Sequence, residues 1–492
     1  MHLVSRERAM YKKNRNKQLA FSNFNQPLGL QLNPENRWVR KAETIPWDAI
    51  EERYAKLFPS NRGVPAKPLR MAFGSLLLQK HIGCSDRELL EQITENPYFQ
   101  YFIGLPGYQM EPPFVPSLLV EFRKRLTPEI LGDINEMILE YNTSDDDDDS
   151  SGMPSGGDDA SSPENNSGTL ILDATCAPQN IEFPQDINLL NQSRENLERI
   201  IDEMCFSYNV KKPRMYRKVA RGDYLNLAKC KKRTGKRIRK AIKKQLQYVR
   251  RDLRYIDEFL EQGMELSSKQ LERLAVIRKV YEQQDYMYCN NTHKVPDRIV
   301  SISQPYIRPI VRGKAKNPTE FGAKLDLSID NGFARVEKLS FNPYNESEVL
   351  ISAIEQYYER NGHYPERVLV DKIYRNRKNI NYCKSRGIRL SGPTLGRPKK
   401  DSSVDKKIEY IDSVDRIEVE RAFSLAKRSF GLGLITTKLE STTRSSIVLS
   451  IIAMNVEKLS KLFMHFLLLV FQDAKSDSIQ SCFFQCKLLS IH

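Results

Sequence analysis

Two aspartates follow short apolar runs at widely separated places in the chain. Asp173 follows Leu-Ile-Leu in "TLILDATCAP", and Asp371 follows Val-Leu-Val in "RVLVDKIY". The apolar runs predict two buried strands that each end in an acid. Because charged side chains are rarely buried without a partner, each acid should have a partner at that end. If these strands are parallel neighbours, about 4.8 Å apart, the acids face each other and suit Mg²⁺ as oxygen ligands. The alternative interpretation of either aspartate alone is that its side chain caps the turn that follows the strand.

A third carboxylate is expected on a late helix. One face of this helix carries four residues at helical spacing: Arg416, Glu420, Phe423 and Lys427. Glu420 can complete a metal site while Arg416 and Lys427 bind DNA phosphates. A surface ladder of ion pairs is the alternative, although Phe423 indicates that the face is packed. Glu418 points about 160° away on the same helix.

The elements that must position these acids alternate between strand and helix after residue 168. The patterns first predict a strand ending at Asp173, a basic helical stretch over 192–285, and a hairpin over 320–341 with an Asn331-Gly332 turn. They then predict a helix over 347–359, a strand over 367–371, a helix over 374–386 and a strand over 388–390. Two helices, over 415–431 and 445–471, come last. This order predicts an α/β (α+β) fold with one mixed sheet.

A large basic helical insertion, about 192–300, is predicted to follow the first strand. Its apolar stripe consists of Ile238, Ile242, Leu246, Val249, Leu253 and Ile256, and its other faces are mostly Lys and Arg. These faces either lie along phosphates or form a solvated surface, but so many like charges favour an anionic partner. The whole chain of 492 residues has 77 Lys and Arg against 62 Asp and Glu, a net charge of +15, which also indicates nucleic acid.

An acidic segment rich in Ser, Gly and Asp, 143–168, is predicted to be a disordered linker that divides the chain. Before it, residues 1–142 are predicted to form an all-helical domain in which "SDRELL" marks a helix start at Ser85. A short basic helix over 116–126 suits a helix-turn-helix-like DNA-binding domain, and an ordinary helical bundle is the alternative. After it, 169–471 would be the catalytic domain and 472–492 an irregular tail.

The composition excludes several other classes of protein. The eight cysteines form no CxxC pair and the six histidines are scattered, which does not match a zinc site and suits a reducing cytoplasm. The basic N-terminus lacks the apolar core of a signal peptide. The apolar run "LFMHFLLLVF" is too short to span a bilayer, so we expect no membrane partner.

Together these motifs resemble the DDE transposases of bacterial insertion sequences, in the insertion-sequence four/five superfamily. Similar stretches are "LILDATCAPQNIEFPQDINLLNQSRE", "QPYIRPIVRGKAKNPTEFGAKL", "NPYNESEVL", "YPERVLVDKIYRNRKN" and "SGPTLGRPKKD". One branch of that superfamily has a Tyr-(2)-Arg-(3)-Glu-(6)-Lys signature. Arg416, Glu420 and Lys427 match it, whereas Ser413 stands at the tyrosine position.

The resemblance implies an RNase H-like fold with a mixed five-stranded sheet. It implies that Asp173, Asp371 and Glu420 are catalytic and bind two Mg²⁺ (or Mn²⁺) ions. It also implies DNA-binding roles for a set of basic residues: Arg308, Arg312, Lys314, Arg416 and Lys427. The expected partners are double-stranded DNA, as terminal inverted repeats and target DNA, and a second protomer, in the cytoplasm at the bacterial nucleoid.

Two other functions stay open on the sequence. The unusual tail and Ser413 are compatible with a non-catalytic DNA-binding protein derived from a decayed or repurposed transposase. An RNase H-like host nuclease is the third reading. Preference for terminal repeats in a cleavage assay would distinguish transposition from general nuclease activity.

Overall fold

The computed structural model describes five stretches of the chain: residues 31–56, 65–143, 166–311, 319–392 and 406–463. Arg312, Lys314, most of the predicted acidic linker and the predicted tail lie outside the described residues.

The described N-terminal region is helical, as predicted. Helices α1 to α7 span Arg37–Glu43, Trp47–Ala55, Leu69–Ile82, Asp86–Glu95, Pro97–Phe102, Leu118–Arg125 and Pro128–Thr143. The Ser85 hydroxyl caps α4 by accepting a hydrogen bond from the backbone N–H of Glu88. In the basic helix α6, Arg123 is buried in an ion pair with Asp86. This arginine therefore stabilises the helical region, and the helix-turn-helix geometry stays a prediction.

One mixed sheet follows. Strands β1 to β6 span Thr169–Pro178, Arg308–Val311, Thr319–Asp330, Phe333–Ser340, Arg367–Val370 and Arg389–Leu390. β1 lies between antiparallel β3 and parallel β5, and β6 extends the sheet beyond β5. The opposite edge of β3 pairs with β2 near its start and with β4 over the rest of its length.

Two strand predictions need correction. The sheet has six strands and not five, because β2 occupies part of an edge next to β4; at four residues it is too short to show periodicity. β1 does not end at Asp173 but continues to Pro178, since β3 pairs with it over that length. The hairpin is confirmed: Asn331 and Gly332 have φ values of 50° and 78°, as a type I′ turn requires.

The basic helical insertion is also present, between β1 and β2. Its helices α8 to α11 span Asp186–Ser207, Arg217–Ala228, Gly235–Glu261 and Ser268–Cys289. They enclose a hydrophobic core of their own, to which α10 contributes Leu246, Val249 and Ile256. The predicted stripe is therefore packed within the insertion, although Ile238 and Ile242 at its start are only partly buried.

Four helices complete the described chain. Helices α12 to α14 span Leu350–Asn361, Arg377–Ser385 and Lys406–Ser429, and α15 covers residues 440–463. α14 begins nine residues before its predicted start. The buried Asp412 in these added turns pairs with Arg389, 2.6 Å away, so a tertiary contact stabilises turns that carry no local start signal.

Alternate residues of β1 contact different cores. Leu170 and Leu172 belong to a cluster with α12, whereas Ile171 belongs to the large cluster that includes α14, α15 and the N-terminal helices. Because side chains alternate along a strand, Asp173 lies on the face of Ile171. The sheet therefore presents Asp173 to α14.

Candidate active site

Asp173 and Asp371 lie side by side where the pairing of β1 with β5 ends. The two strands are parallel with Leu172 opposite Val370, so the next residue on each is an aspartate. Each carboxylate accepts a hydrogen bond from the backbone N–H of the following residue, at 2.8 Å for Asp173 and 2.7 Å for Asp371. The topology thus makes neighbours of two acids that are 198 residues apart in the chain.

The charge of Asp173 is poorly compensated by the protein itself. The pKa of its carboxyl is raised from 3.8 to about 6, mainly by burial and in smaller part by the negative charges of Glu346 and Asp371. The N–H of Ala174 and the Arg416 guanidinium act in the opposite direction and do not cancel the increase. A cation between the acids would therefore stabilise the ionised form.

Helix α14 crosses the same face of the sheet and brings two cations to the pair. Arg416 lies 3.9 Å from the Asp371 carboxylate. Lys427 donates a hydrogen bond of 2.8 Å to the Thr175 hydroxyl, two residues beyond Asp173 on the same face of β1. Phe423, between the two cations on the helix, is buried. The face that carries the predicted residues is therefore packed against the sheet.

Glu420 lies on this face between Arg416 and Lys427, but it does not contact the paired acids. Its side chain is exposed and makes no hydrogen bond or ion pair within the described part of the chain. No group of three or more His, Cys, Asp or Glu side chains among the described residues is arranged to hold a metal ion. Glu418 points elsewhere, 3.4 Å from Lys458. The structure thus brings Asp173 and Asp371 together, and the ligand role of Glu420 stays a prediction.

Of the other basic residues predicted to bind DNA, Arg308 is described. It is half-buried at the start of β2, where its guanidinium donates to the backbone carbonyls of Pro305 and Ile307. These contacts direct it toward its own loop, and its DNA-binding role stays a prediction.

A fourth acid, Asp326 on β3, was missed in the sequence. It is fully buried opposite Ala174, and its carboxylate accepts hydrogen bonds from the hydroxyls of Tyr344 and Tyr374, the latter at 2.8 Å. Burial outweighs the hydrogen bonds from the two tyrosines, so the pKa of Asp326 is raised to about 6. No local signal marks it, because in "KLDLSID" Asp326 takes one of the polar positions that alternate with the apolar ones.

Glu346, near Asp326, is a further acidic side chain close to the Asp173–Asp371 pair. It lies two residues after Tyr344 and forms an ion pair of 2.8 Å with Lys324. Its negative charge raises the pKa of both Asp173 and Asp326. Sequence reasoning did not single it out, because nothing local distinguishes "NES" from a loop.

Two family models match the chain. Residues 27–125 match the family described as "Transposase domain (DUF772)", and residues 368–457 match the family described as "Transposase DDE domain". The predicted kinship with DDE-type transposases is thus confirmed. The DDE match contains Asp371 and Glu420 and begins after Asp173. The transposase domains cover separate parts of the chain, one in the N-terminal helices and one from β5 to α15.

A curated relative is an uncharacterized protein of Rhizobium meliloti, described as "ORF8 in nfe locus". It is 33% identical over 118 residues, which are 24% of this chain and 56% of that protein. The chain therefore spans little more than half the length of this relative. No solved structure matches the chain.

Among the described helices, none combines the length and apolar character needed to cross a bilayer.

Proposed function

We propose that the protein is a DDE transposase that cuts DNA at the ends of a mobile element and joins the freed 3′-OH to target DNA. The observation that carries this proposal is the pairing of Asp173 with Asp371 on adjacent parallel strands, next to a helix within the DDE match. In this proposal the substrates are double-stranded terminal inverted repeats and target DNA. Two protomers bring the two ends together.

The strand order supports an RNase H-like core. The central β1 has an antiparallel neighbour followed by a hairpin partner on one side, and two parallel strands on the other. Helices cover both faces, and the insertion interrupts the order between β1 and β3 without separating the strands that carry the acids. The remaining strand, β2, pairs only with the start of β3.

The donor set fits Mg²⁺ or Mn²⁺. Asp173 and Asp371 provide hard carboxylate oxygens, and the raised pKa of Asp173 reflects above all the burial of a carboxylate whose charge a divalent cation would neutralise. Asp371 is exposed, so the pair is open to solvent. Asp173, Asp371 and Glu420 are the proposed ligands, for two ions. Bound there, the metal supplies Lewis-acid activation of the water or 3′-OH and of the leaving oxygen.

The surrounding side chains would orient the DNA. Arg416 beside Asp371 and Lys427 beside Thr175 present positive charge at the two ends of the pair, which suits the phosphates on either side of the reacting bond. Glu420 lies exposed between these cations on α14, and in this proposal it turns toward the paired acids when metal and DNA bind. The fixed spacing of Arg416 and Lys427 on the helix sets the distance between the two phosphate contacts.

Cleavage of DNA that carries the element's ends tests this proposal. We expect Asp173→Asn, Asp371→Asn and Glu420→Gln each to lower the Mg²⁺-dependent rate by more than about 100-fold, since loss of even an outer partner of a metal ligand costs 10–100-fold. Glu418→Gln is the matched control, because this residue lies on the same helix but contacts Lys458. Full cleavage by Asp173→Asn would refute the assignment.

The position of Glu420 favours a second candidate, a DNA-binding protein without catalysis. Among the described residues its carboxylate has no contact with the paired acids. In that case the wild-type protein would bind element ends without cutting them at any Mg²⁺ or Mn²⁺ concentration. A host nuclease would instead cut DNA with and without the terminal repeats at similar rates.

A further inference from the structure

The positive charge of this protein is concentrated in one segment of the insertion. Residues 211–244 contain sixteen Lys and Arg and a single acid, Asp223. Removing them from the totals of 77 cationic and 62 acidic residues leaves 61 of each in the rest of the chain. The net charge of +15 is therefore carried entirely by 34 residues, and the remainder of the chain is neutral.

We call this segment the basic lobe surface (residues 211–244). The fold leaves most of its cations exposed to solvent and without an ion pair. The basic lobe surface covers α9 and the first turns of α10, and fourteen of its sixteen cations are exposed. Within the described part of the chain only Lys212, Arg217 and Lys244 form ion pairs with carboxylates, which belong to Asp202, Glu198 and Asp223. The other thirteen have no carboxylate partner there.

The local structure makes this arrangement costly without a partner. α10 begins with Gly235, Lys236 and Arg237, and its first turn has no acid. Positive charge at a helix N-terminus opposes the helix dipole, and each such residue costs a few tenths of a kcal/mol or more. An anion bound at this end would remove both this cost and the mutual repulsion of the cations.

The basic lobe surface is held in a defined place. Lys244 binds Asp223 at 2.7 Å and Gln245 donates to the Ala220 carbonyl at 2.9 Å, which ties α9 to α10. Arg233 donates to Gln185 at 3.1 Å, just before α8 and seven residues after the end of β1. Arg233 and the start of α10 therefore lie near the root of the insertion, where it joins the strand that carries Asp173, whereas Lys212 pairs with Asp202 near the other end of α8.

From this we infer that the basic lobe surface binds duplex DNA through its phosphates. This inference rests on the proposed function, which supplies DNA as the substrate. Duplex DNA carries one negative charge per 1.7 Å or so of its axis, and exposed Lys and Arg replace its condensed counterions without reading sequence. The apolar face of α10 is packed in the core of the insertion, so it is not available to enter a lipid bilayer.

Equilibrium binding of the full-length protein to duplex DNA at several salt concentrations tests the inference. The variant replaces six exposed cations of the basic lobe surface that have no carboxylate partner: Lys231→Gln, Lys232→Gln, Lys236→Gln, Arg237→Gln, Lys240→Gln and Lys243→Gln. The control removes the same charge from exposed cations elsewhere: Lys56→Gln, Arg87→Gln, Lys269→Gln, Lys279→Gln, Lys378→Gln and Lys384→Gln. Thermal unfolding of both variants verifies that they are folded.

The basic-lobe variant is expected to bind at least about tenfold more weakly, equally for DNA with element ends and for unrelated DNA. The slope of log affinity against log salt should fall by about 0.9 for each lost phosphate contact, up to about 5 in total. The control should change far less. Equal losses in the two variants would overturn the inference, and so would tighter binding of the wild type to RNA of the same length.

The two proposals can fail separately. If the wild type never cuts element ends but the basic-lobe variant loses its salt-dependent affinity for DNA, the proposed function is refuted and DNA binding by the basic lobe surface is supported. If cleavage depends on Asp173 but the two charge variants bind DNA alike, the catalytic proposal stands and this surface fails.

Discussion

At the scale of single residues, Asp326 connects the segments that surround the paired acids. Tyr374 follows Asp371 by three residues, and Tyr344 precedes Glu346 by two; both donate their hydroxyls to this one buried carboxylate. The turn after Asp371 and the loop that carries Glu346 are therefore fixed relative to β3. Asp326 lies on the face of the sheet opposite Asp173, so it is a positioning residue.

Tyr374→Phe is expected to lower DNA cleavage by about 10–100-fold, as is typical for loss of a partner that orients a metal ligand, while affinity for DNA stays unchanged. Metal binding measured on the protein alone, by Mn²⁺ electron paramagnetic resonance, should weaken in parallel. Tyr357→Phe is the matched control, because its hydroxyl donates to the Ser167 carbonyl at 3.0 Å. Equal loss of cleavage in both variants would show that the effect is only one of stability.

The sequence was sufficient to find Asp173 and Asp371, because each follows a run of three apolar residues. Asp326 could not be ranked in the same way: its role depends on two tyrosines 18 and 48 residues away in the chain. The helical spacing of Arg416 and Glu420 was visible, but which side chain turns toward the acids depends on how α14 packs on the sheet.

At the scale of elements, the insertion contains its own buried charge network. Asp252 on α10 is fully buried, 3.3 Å from Arg251, and one of its oxygens has no hydrogen-bond partner among the described residues. Burial raises the pKa of Asp252 from 3.8 to about 7; Glu198 raises it and Arg251 and Arg194 lower it. The folded state therefore holds this proton more tightly than the unfolded state.

This gives a pH dependence with a definite sign. The contribution of protonated Asp252 to stability is complete below about pH 4 and is lost as the pH rises through about 7. We expect Asp252→Asn to match the wild type near pH 4 and to exceed its free energy of unfolding by roughly 4 kcal/mol above pH 7, at about 1.4 kcal/mol for each unit between the two pKa values. Thermal unfolding from pH 4.5 to 8 measures this difference, with Glu261→Gln, an exposed acid in the last turn of α10, as control. A difference that shrinks as the pH rises would contradict the argument.

Elements with local signals were predictable and elements made by tertiary contacts were not. The β3–β4 hairpin follows from Asn331-Gly332, which favours the left-handed conformation at both positions. The last five residues of β1 and the first turns of α14 form because β3 and Arg389 pair with them. Neither partner is adjacent in the chain, so pattern alone could not reveal these extensions.

At the scale of the whole molecule, the N-terminal helices and the sheet share one hydrophobic core. A buried amide links three parts of it: Asn455 on α15 donates to Asn135 on α7 at 2.9 Å and to the Ala334 carbonyl at 2.8 Å, and accepts from the Ala334 N–H. Lys41 on α1 also pairs with Glu457 on α15 at 2.5 Å. These contacts predict that the helical region and the sheet unfold together.

The chain's two tryptophans make this testable, since Trp38 and Trp47 both lie in the N-terminal helices. Their fluorescence and the hydrogen exchange of β1 amides should report the same denaturation midpoint. Asn455→Ala should lower the free energy of unfolding measured by both probes by about 2–3 kcal/mol, because it leaves buried polar groups without partners. Tryptophan fluorescence that changes well before β1 exchanges would contradict the shared core.

The long interval between β1 and β5 has a consequence for the growing polypeptide. By the time a ribosome has released the chain as far as residue 340, β1 can pair with β3, and α8 to α11 can close around their own core. The second aspartate arrives only with β5, so the acid pair is completed late in translation. A product truncated before Arg367 would keep the basic lobe surface without the acid pair, and under both proposals we expect it to compete with the full chain for DNA.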